Sequence, residues 1–220
     1  MNIDNIKSHA FGDTHEIVLK LAGELKKGSV LDVAAGEGAL TRELMRMGFN
    51  VTPADLEVSQ FGLNLIKPDQ VDLNEKLKYE NNKFDHIMCI ETIEHVINPG
   101  LCLSEFYRIL KPSGILILST PNISSLISRI IYLFTGQYAN FFDTDSSCID
   151  KNGKDRHIMP LPSWLLMHHL NKAVFKIDKV VYSNGGIEIP TKKRPWKKIV
   201  FLPHTSLFGN SVIIRAQKAP

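Results

Sequence analysis

Residues Val30 to Leu40 read "VLDVAAGEGAL", where Val30, Leu31, Val33 and one aspartate run straight into two glycines spaced two apart. The apolar start has the length of a buried strand. Leu40 to Met47 continues with helical apolar spacing until Gly48 stops it. Glycine has no Cβ, so Gly36 and Gly38 let the backbone turn sharply and lie close to a ligand. Two glycines alone leave three readings open: a phosphate cradle, a seat for some other cofactor, or a plain turn between strand and helix.

The neighbouring segments repeat the alternation. Thr14 to Leu25 places Ile17, Leu21 and Leu25 near helical spacing behind the caps Asp13 and Thr14, which predicts an N-terminal helix over about 12–26. "FNVTPADL" reads as a second strand, "LNLIKPDQVDL" as a weaker third interrupted by Pro68, and "FDHIMCI" as a fourth, covered on both faces. Asn98 followed by Pro99 opens a helix that runs to Leu110 and ends at "KPSG", before "ILILST" forms a fifth strand. The alternation then lapses for about forty residues, read as a lid or insertion over about 123–160. "LPSWLLMHHLNKA" resumes a helix, and "FKIDKVVYS" and "NSVIIRAQK" form an antiparallel pair at one edge. Such an order implies one doubly wound, mostly parallel sheet, which binds ligands at the carboxyl ends of its strands. The segments 32–38, 91–95 and 120–122, with Asp55 and Asp72, fall at those ends.

Composition narrows the class. With 220 residues, 44% hydrophobic and 22% charged, the chain suits a single globular domain over 1–220. A net charge of +3 is too small to imply nucleic-acid binding, and no nucleic-acid partner is expected. Cys89, Cys102 and Cys148 lack metal-type spacing and suit reduced thiols in the cytoplasm. The stretch "MNIDNIKSHAFGD" has no secretory pattern, and Arg129, Gly136, Gln137 and Asn140 break the most apolar segment short of a membrane span.

Asp55, at the end of the second strand, is the group a ribose needs, because a carboxylate accepts from both hydroxyls of the diol. A dinucleotide fingerprint carries a third glycine three residues after the second, and here that position is Thr41. Glu37 adds a carboxylate between the two glycines. Pyrophosphate is electrostatically awkward beside these acids, whereas a zwitterionic amino acid bearing a sulfonium is not.

"VLDVAAGEGAL", "VTPADLE", "VDLNEKL", "FDHIMCIETIEHVINPG", "FYRILKPSGILILSTPN" and "DRHIMPLPSWLL" resemble the successive motifs of class I S-adenosylmethionine-dependent methyltransferases, in particular the ubiquinone-biosynthesis O-methyltransferase-like group. The resemblance runs from Val30 to Asn122 and fades beyond. It implies a Rossmann-like α/β fold with a seven-stranded sheet, an antiparallel edge strand and a helical insertion after strand five. It also implies that Asp32, Ala34, Gly36 and Gly38 wrap the methionine part of S-adenosyl-L-methionine. Asp55 and Leu56 would hold the ribose, Asp72 and Leu73 would contact the adenine, and Ile90 and Glu91 would close the site near the methionine. Ala34 departs from the family, which usually has glycine there, so its dihedral must be one that alanine tolerates.

In "ETIEH", Glu91, Glu94 and His95 share one face if the segment is helical. They could bind a divalent cation, as the resemblance suggests, supply a general base, or simply favour a helix start. Methyl transfer to a hydroxyl needs near-attack geometry and loss of the hydroxyl proton, and an imidazole suits the second task. His95 and His157 are the candidate bases, with Glu91 beside them, whereas His168 and His169 fit packing or a solvated face. The asparagine-proline-proline-aromatic pattern of amino-methylating enzymes is replaced by "IETIEH", which favours oxygen or carbon as acceptor.

The insertion carries Leu126, Ile130, Leu133 and Phe134 at helical spacing, with Tyr132, Tyr138, Phe141 and Phe142. It reads as a lid, or as a hydrophobic pocket or interfacial helix for a lipid-like acceptor. "TKKRPWKK" gathers Lys192, Lys193, Arg194, Lys197 and Lys198 around Trp196, as a solvated loop or a contact with anionic headgroups at the inner membrane surface. The expectation is O-methylation of a small-molecule, lipid-linked or saccharide-linked acceptor. An idle relative acting as a binding module and a nucleotide-dependent oxidoreductase are the rivals.

Overall fold

A computed structural model describes residues 13–139, 141, 157–189, 197–202 and 205–220. The readings made on the first twelve residues, Phe142, Cys148, Lys192, Lys193, Arg194 and Trp196 lie outside the described residues.

Strands β1 (Ser29–Val33), β2 (Asn50–Asp55), β3 (Asp69–Gln70), β4 (Phe84–Cys89) and β5 (Leu110–Pro121) pair in parallel in the order β3-β2-β1-β4-β5. Near the C-terminus come β6 (Phe175–Tyr182), β7 (Gly185–Ile189), β8 (Lys197–Leu202) and β9 (Ser211–Lys218). Strand β9 inserts antiparallel between β5 and the edge strand β6, completing the seven-stranded sheet, while β7 and β8 form a separate hairpin. The late antiparallel pair is therefore present, and the strand that runs against the others lies one place in from the edge.

Apolar strand residues alternate between two cores, as a period of two requires when both faces are covered. Leu31, Ile87, Leu116 and Ile214 face helices α3 (Pro99–Ile109) and α5 (Ser163–Lys172) through Leu103, Phe106, Leu166 and Leu170. Val30, Met88, Ile117 and Ile213 face α1 (Thr14–Gly23) and α2 (Ala39–Arg46) through Val18, Leu21, Leu40 and Leu44. The sheet is doubly wound for this reason, since the central strands β1, β4, β5 and β9 supply apolar side chains in both directions.

Three local expectations need correction. The third strand shrinks to two residues, because Pro68 has no N–H for the ladder and Leu63 instead turns inward against the glycine loop. "KPSG" is not a free loop: β5 starts at Leu110, and the tetrapeptide bulges between the pairs Phe84–Leu110 and His86–Ile115. A Cβ on Gly114 would lie 2.8 Å from the Lys111 carbonyl oxygen, so the bulge requires glycine there. Asp13 does not cap α1 with its side chain; its carboxylate accepts from the Asn184 amide at 2.8 Å. The Asn98 cap is as expected, accepting from the Leu101 amide at 3.0 Å and contributing about 1 kcal/mol.

Register fixes where the loops emerge. Val33, Ala54, Cys89 and Leu118 form one row across β2, β1, β4 and β5. The next residues, Ala34, Asp55, Ile90 and Ser119, therefore meet at one level at the carboxyl end of the sheet.

Candidate functional site

Every second residue of the glycine loop, from Ala34 to Gly38, is left-handed. Ala34 has φ +54°, Gly36 +54° and Gly38 +93°. A Cβ on Gly36 would meet nothing within 4 Å, so the space beside it is open to a ligand, whereas one on Gly38 would sit 2.9 Å from Phe61 and 3.0 Å from Leu63. The two glycines thus do different work: Gly36 leaves room, and Gly38 lets the start of α2 pack against the segment after β2. Ala34 occupies a conformation that alanine adopts at about 1 kcal/mol, so the departure from glycine is tolerated under strain.

Asp55 ties this loop to β2. Its Oδ2 accepts from the Gly36 amide at 2.8 Å and its Oδ1 from the Glu57 amide at 2.9 Å. Each oxygen keeps a second lone pair, which is what a ribose diol would use. Leu56 beside it is 51% exposed. Asp32 lies deeper, 2% exposed, with the Thr41 hydroxyl donating to its Oδ2 at 2.6 Å. Burial pushes its carboxyl up to about 7, with the Asp55 charge adding to the rise and Thr41 opposing it. Asp32 therefore anchors α2 under the loop, through the same Thr41 that stands where a dinucleotide fold has its third glycine. Asp72 and Leu73 follow β3 half-buried, and Asp72 Oδ1 accepts from the Asn74 amide and side chain at 2.8 and 3.0 Å. Asn74 in turn accepts from the Ile97 amide at 2.8 Å, linking the β3 loop to the segment after β4.

The segment "ETIEH" is not a helix. Glu91 is left-handed at φ +50°, and only Ile93–His95 forms a single 3-10 turn. The shared helical face is therefore lost: Glu91 turns inward to Ser119, while the ligand atoms of Glu94, His95 and His157 lie within 4.8 Å of one another. His157 takes the place in that group that sequence spacing assigns to Glu91. The backbone explains how it arrives, since the amides of Ile158 and Met159 both donate to the Glu94 carbonyl oxygen, at 3.0 and 2.9 Å. The rings of His95 and His157 meet edge to face at 4.7 Å, with Phe141 5.2 Å from His157.

Glu94 is fully buried. Its Oε2 accepts from the Thr120 hydroxyl at 3.0 Å, and its Oε1, 3.9 Å from His157 Nε2, has no hydrogen-bond partner among the described residues. Burial and then the Glu91 charge push its carboxyl well above the ordinary range, and burial likewise raises Glu91. Raised acids beside imidazoles at the mouth of a sheet are suited to moving a proton.

Three residues escaped the sequence reading: Thr41, Asn74 and Ser119. Thr41 figured only as an absent glycine, and Ser119 is one step before the strand end at Thr120. Asn122, expected in the crevice, instead donates from Nδ2 to the carbonyls of Ser206 and Gly209 at 2.9 Å each, tying β5 to the approach of β9.

Residues 6–174 match the family described as methyltransferase domain. The ubiquinone biosynthesis O-methyltransferase of Psychrobacter arcticus is 28% identical over 130 residues, 54% of this chain and 50% of that protein. The enzyme of the same name from Rickettsia typhi is 35% identical over 108 residues, 45% of this chain and 43% of that protein. The chain thus spans about half the length of these relatives. Among solved structures, a SAM-dependent methyltransferase from Archaeoglobus fulgidus superposes with a TM-score of 0.64 at 18% identity, covering 93% of this chain and 94% of that one. One from Mesorhizobium loti gives 0.59 at 15% identity, covering 94% and 98%. At these identities the likeness is one of fold.

Proposed function

The chain belongs to the methyltransferase-domain family, and on that premise we propose that it moves a methyl group from S-adenosylmethionine to an oxygen of a small-molecule or lipid-linked acceptor. The observation that carries this reading is the presence, at the carboxyl end of the sheet, of an open glycine loop stitched to Asp55 and of the buried Glu94 beside His95 and His157. The cofactor supplies a methyl group already activated on a sulfonium. Gly36 leaves it room, Asp55 accepts from its ribose, and the loop of Asp72 and Leu73 borders its adenine. Holding acceptor and methyl in near-attack geometry contributes about 7 to 11 kcal/mol. His95 or His157 takes the acceptor proton, and the buried Glu94 carboxyl lies 3.9 Å from His157 Nε2.

The lipid-linked arm draws support from helix α4 (Leu126–Thr135), whose only buried residue is Ser128. Leu133 is 76% and Phe134 81% exposed, an unusual burden for a helix in water. Among the described residues no helix is long and apolar enough to cross a membrane, so the contact proposed is peripheral. A second reading adds a divalent cation, favoured by the buried Glu94 Oε1, without a hydrogen-bond partner among the described residues, lying near the ligand atoms of His95 and His157.

Calorimetric titration with S-adenosylmethionine and with NAD tests the core of the proposal; binding of NAD without S-adenosylmethionine overturns it. Manganese resonance spectra of wild type and Glu94→Gln test the cation, which is abandoned if the two spectra match free manganese. Sedimentation with anionic vesicles at low salt tests the membrane contact, and protein left wholly in the supernatant removes it.

A further inference from the structure

Glu91 leaves the end of β4 in the left-handed region, at φ +50°. A residue with a Cβ resists that conformation and holds it only where its surroundings over-determine it. Here Ser119 contacts both its backbone and its carboxylate, while the Ser211 hydroxyl acts on the carboxylate alone. The Glu91 amide is shared between the Ser119 carbonyl oxygen at 3.2 Å and the Ser119 Oγ at 3.0 Å. The same hydroxyl donates its only proton to Glu91 Oε1 at 2.8 Å. It thus acts as acceptor and donor toward a single residue, fixing backbone and carboxylate together.

Ser119 itself lies deep within the sheet. It is fully buried, and its register partner is Ile213 on β9. The next residue, Thr120, holds Glu94, so two consecutive β5 residues grip both acids of the turn.

We propose that Ser119 is a positioning residue of the cofactor site, holding Glu91 in the left-handed turn that borders the methionine end of S-adenosylmethionine. This rests on the reading of the chain as a methyltransferase. Being fully buried, Ser119 acts through Glu91.

The test is the dissociation constant of S-adenosylmethionine for wild type, Ser119→Ala, Ser119→Thr, Glu91→Gln and the double variant Ser119→Ala/Glu91→Gln, with thermal melts as a fold control. Ser119→Ala is expected to weaken binding about tenfold, the effect of losing a hydrogen bond to a charged group. Ser119→Thr, which keeps the hydroxyl, is expected to restore most of that loss. The double variant is expected to bind no more weakly than the weaker single, because both changes break one device. A folded Ser119→Ala with wild-type affinity, or losses that add in the double variant, overturns the proposal. If Ser119→Ala does not fold, Ser119→Cys serves in its place, with weakened binding expected and wild-type affinity overturning the proposal. A wild-type protein that does not bind S-adenosylmethionine fails the methyltransferase reading first, a result separate from any variant.

Discussion

The two ends of the sheet treat their acids in opposite ways. At the amino end, Asp85 Oδ2 accepts from the Ser29 amide at 2.9 Å, the Ser29 hydroxyl at 2.7 Å and Lys111 Nζ at 2.8 Å. Burial alone pushes its carboxyl up, but Lys111 and Ser29 outweigh it and bring it down to about 2. At the carboxyl end, Asp32, Glu91 and Glu94 are all raised, chiefly by burial, and no described cation pairs with them as Lys111 does with Asp85. Left-handed non-glycine residues occur at both ends, Ala34 and Glu91 at the carboxyl end and Asn82, Ser113 and Val174 at the amino end, so the ends differ in their charges and not in backbone strain. Asp85 is paired for stability, whereas the raised acids belong to the proposed site, although both ends draw on the same residue types.

The largest test of this contrast is Asp55→Ala. It removes the acceptor for the Gly36 and Glu57 amides together with the proposed ribose acceptor. Cofactor affinity, read by calorimetry, is expected to fall about a hundredfold. Retained affinity would show that the glycine loop stands without its stitch.

Next in size is a pair of variants with opposite pH signs. The folded carboxyl of Asp85 lies below its ordinary 3.8, so its contribution is present above 3.8 and lost as pH falls toward about 2. After allowance for solvent screening of this partly exposed pair, Asp85→Asn is expected to cost about 1 kcal/mol at neutral pH and progressively less in acid. Asp32 lies above its ordinary 3.8, so its contribution is complete below 3.8 and lost as pH rises through about 7. Relative to wild type, Asp32→Asn is expected to gain stability between those values. Urea midpoints across the pH range check both, and two variants moving in the same direction would falsify the contrast.

The smallest effect is expected from Ala34→Gly. Relief of the left-handed backbone, about 1 kcal/mol, is mostly offset by the extra freedom of glycine in the unfolded chain. A net gain of a few tenths of a kcal/mol, seen as a small rise in melting temperature, is the expected result; a fall would mean that the alanine methyl contributes packing.

Much of the architecture was legible because it rests on short-range patterns. The apolar runs at Val30 and Phe84, the Asn98-Pro99 start of α3 and the left-handed glycines announce themselves within a few residues. The bulge at "KPSG" was not legible, because it depends on Leu110 and Ile115 both finding partners on β4. In the site, spacing placed Glu91 with Glu94 and His95, but the backbone turns left-handed at Glu91 because Ser119, 28 residues away, holds it there. Spacing along one segment carries no information about a hydroxyl on the next strand.

By itself the sequence determined the alternating strands and helices, the sheet that follows from them, and the acids and glycines at the strand ends, since local propensity and apolar period act on neighbours in the chain. Tertiary structure alone decided that Asp32 anchors Thr41, that His157 arrives beside Glu94 and His95, and that Glu91 faces inward. Each of these outcomes depends on contacts between distant segments, and such contacts exist only once the sheet has set its register.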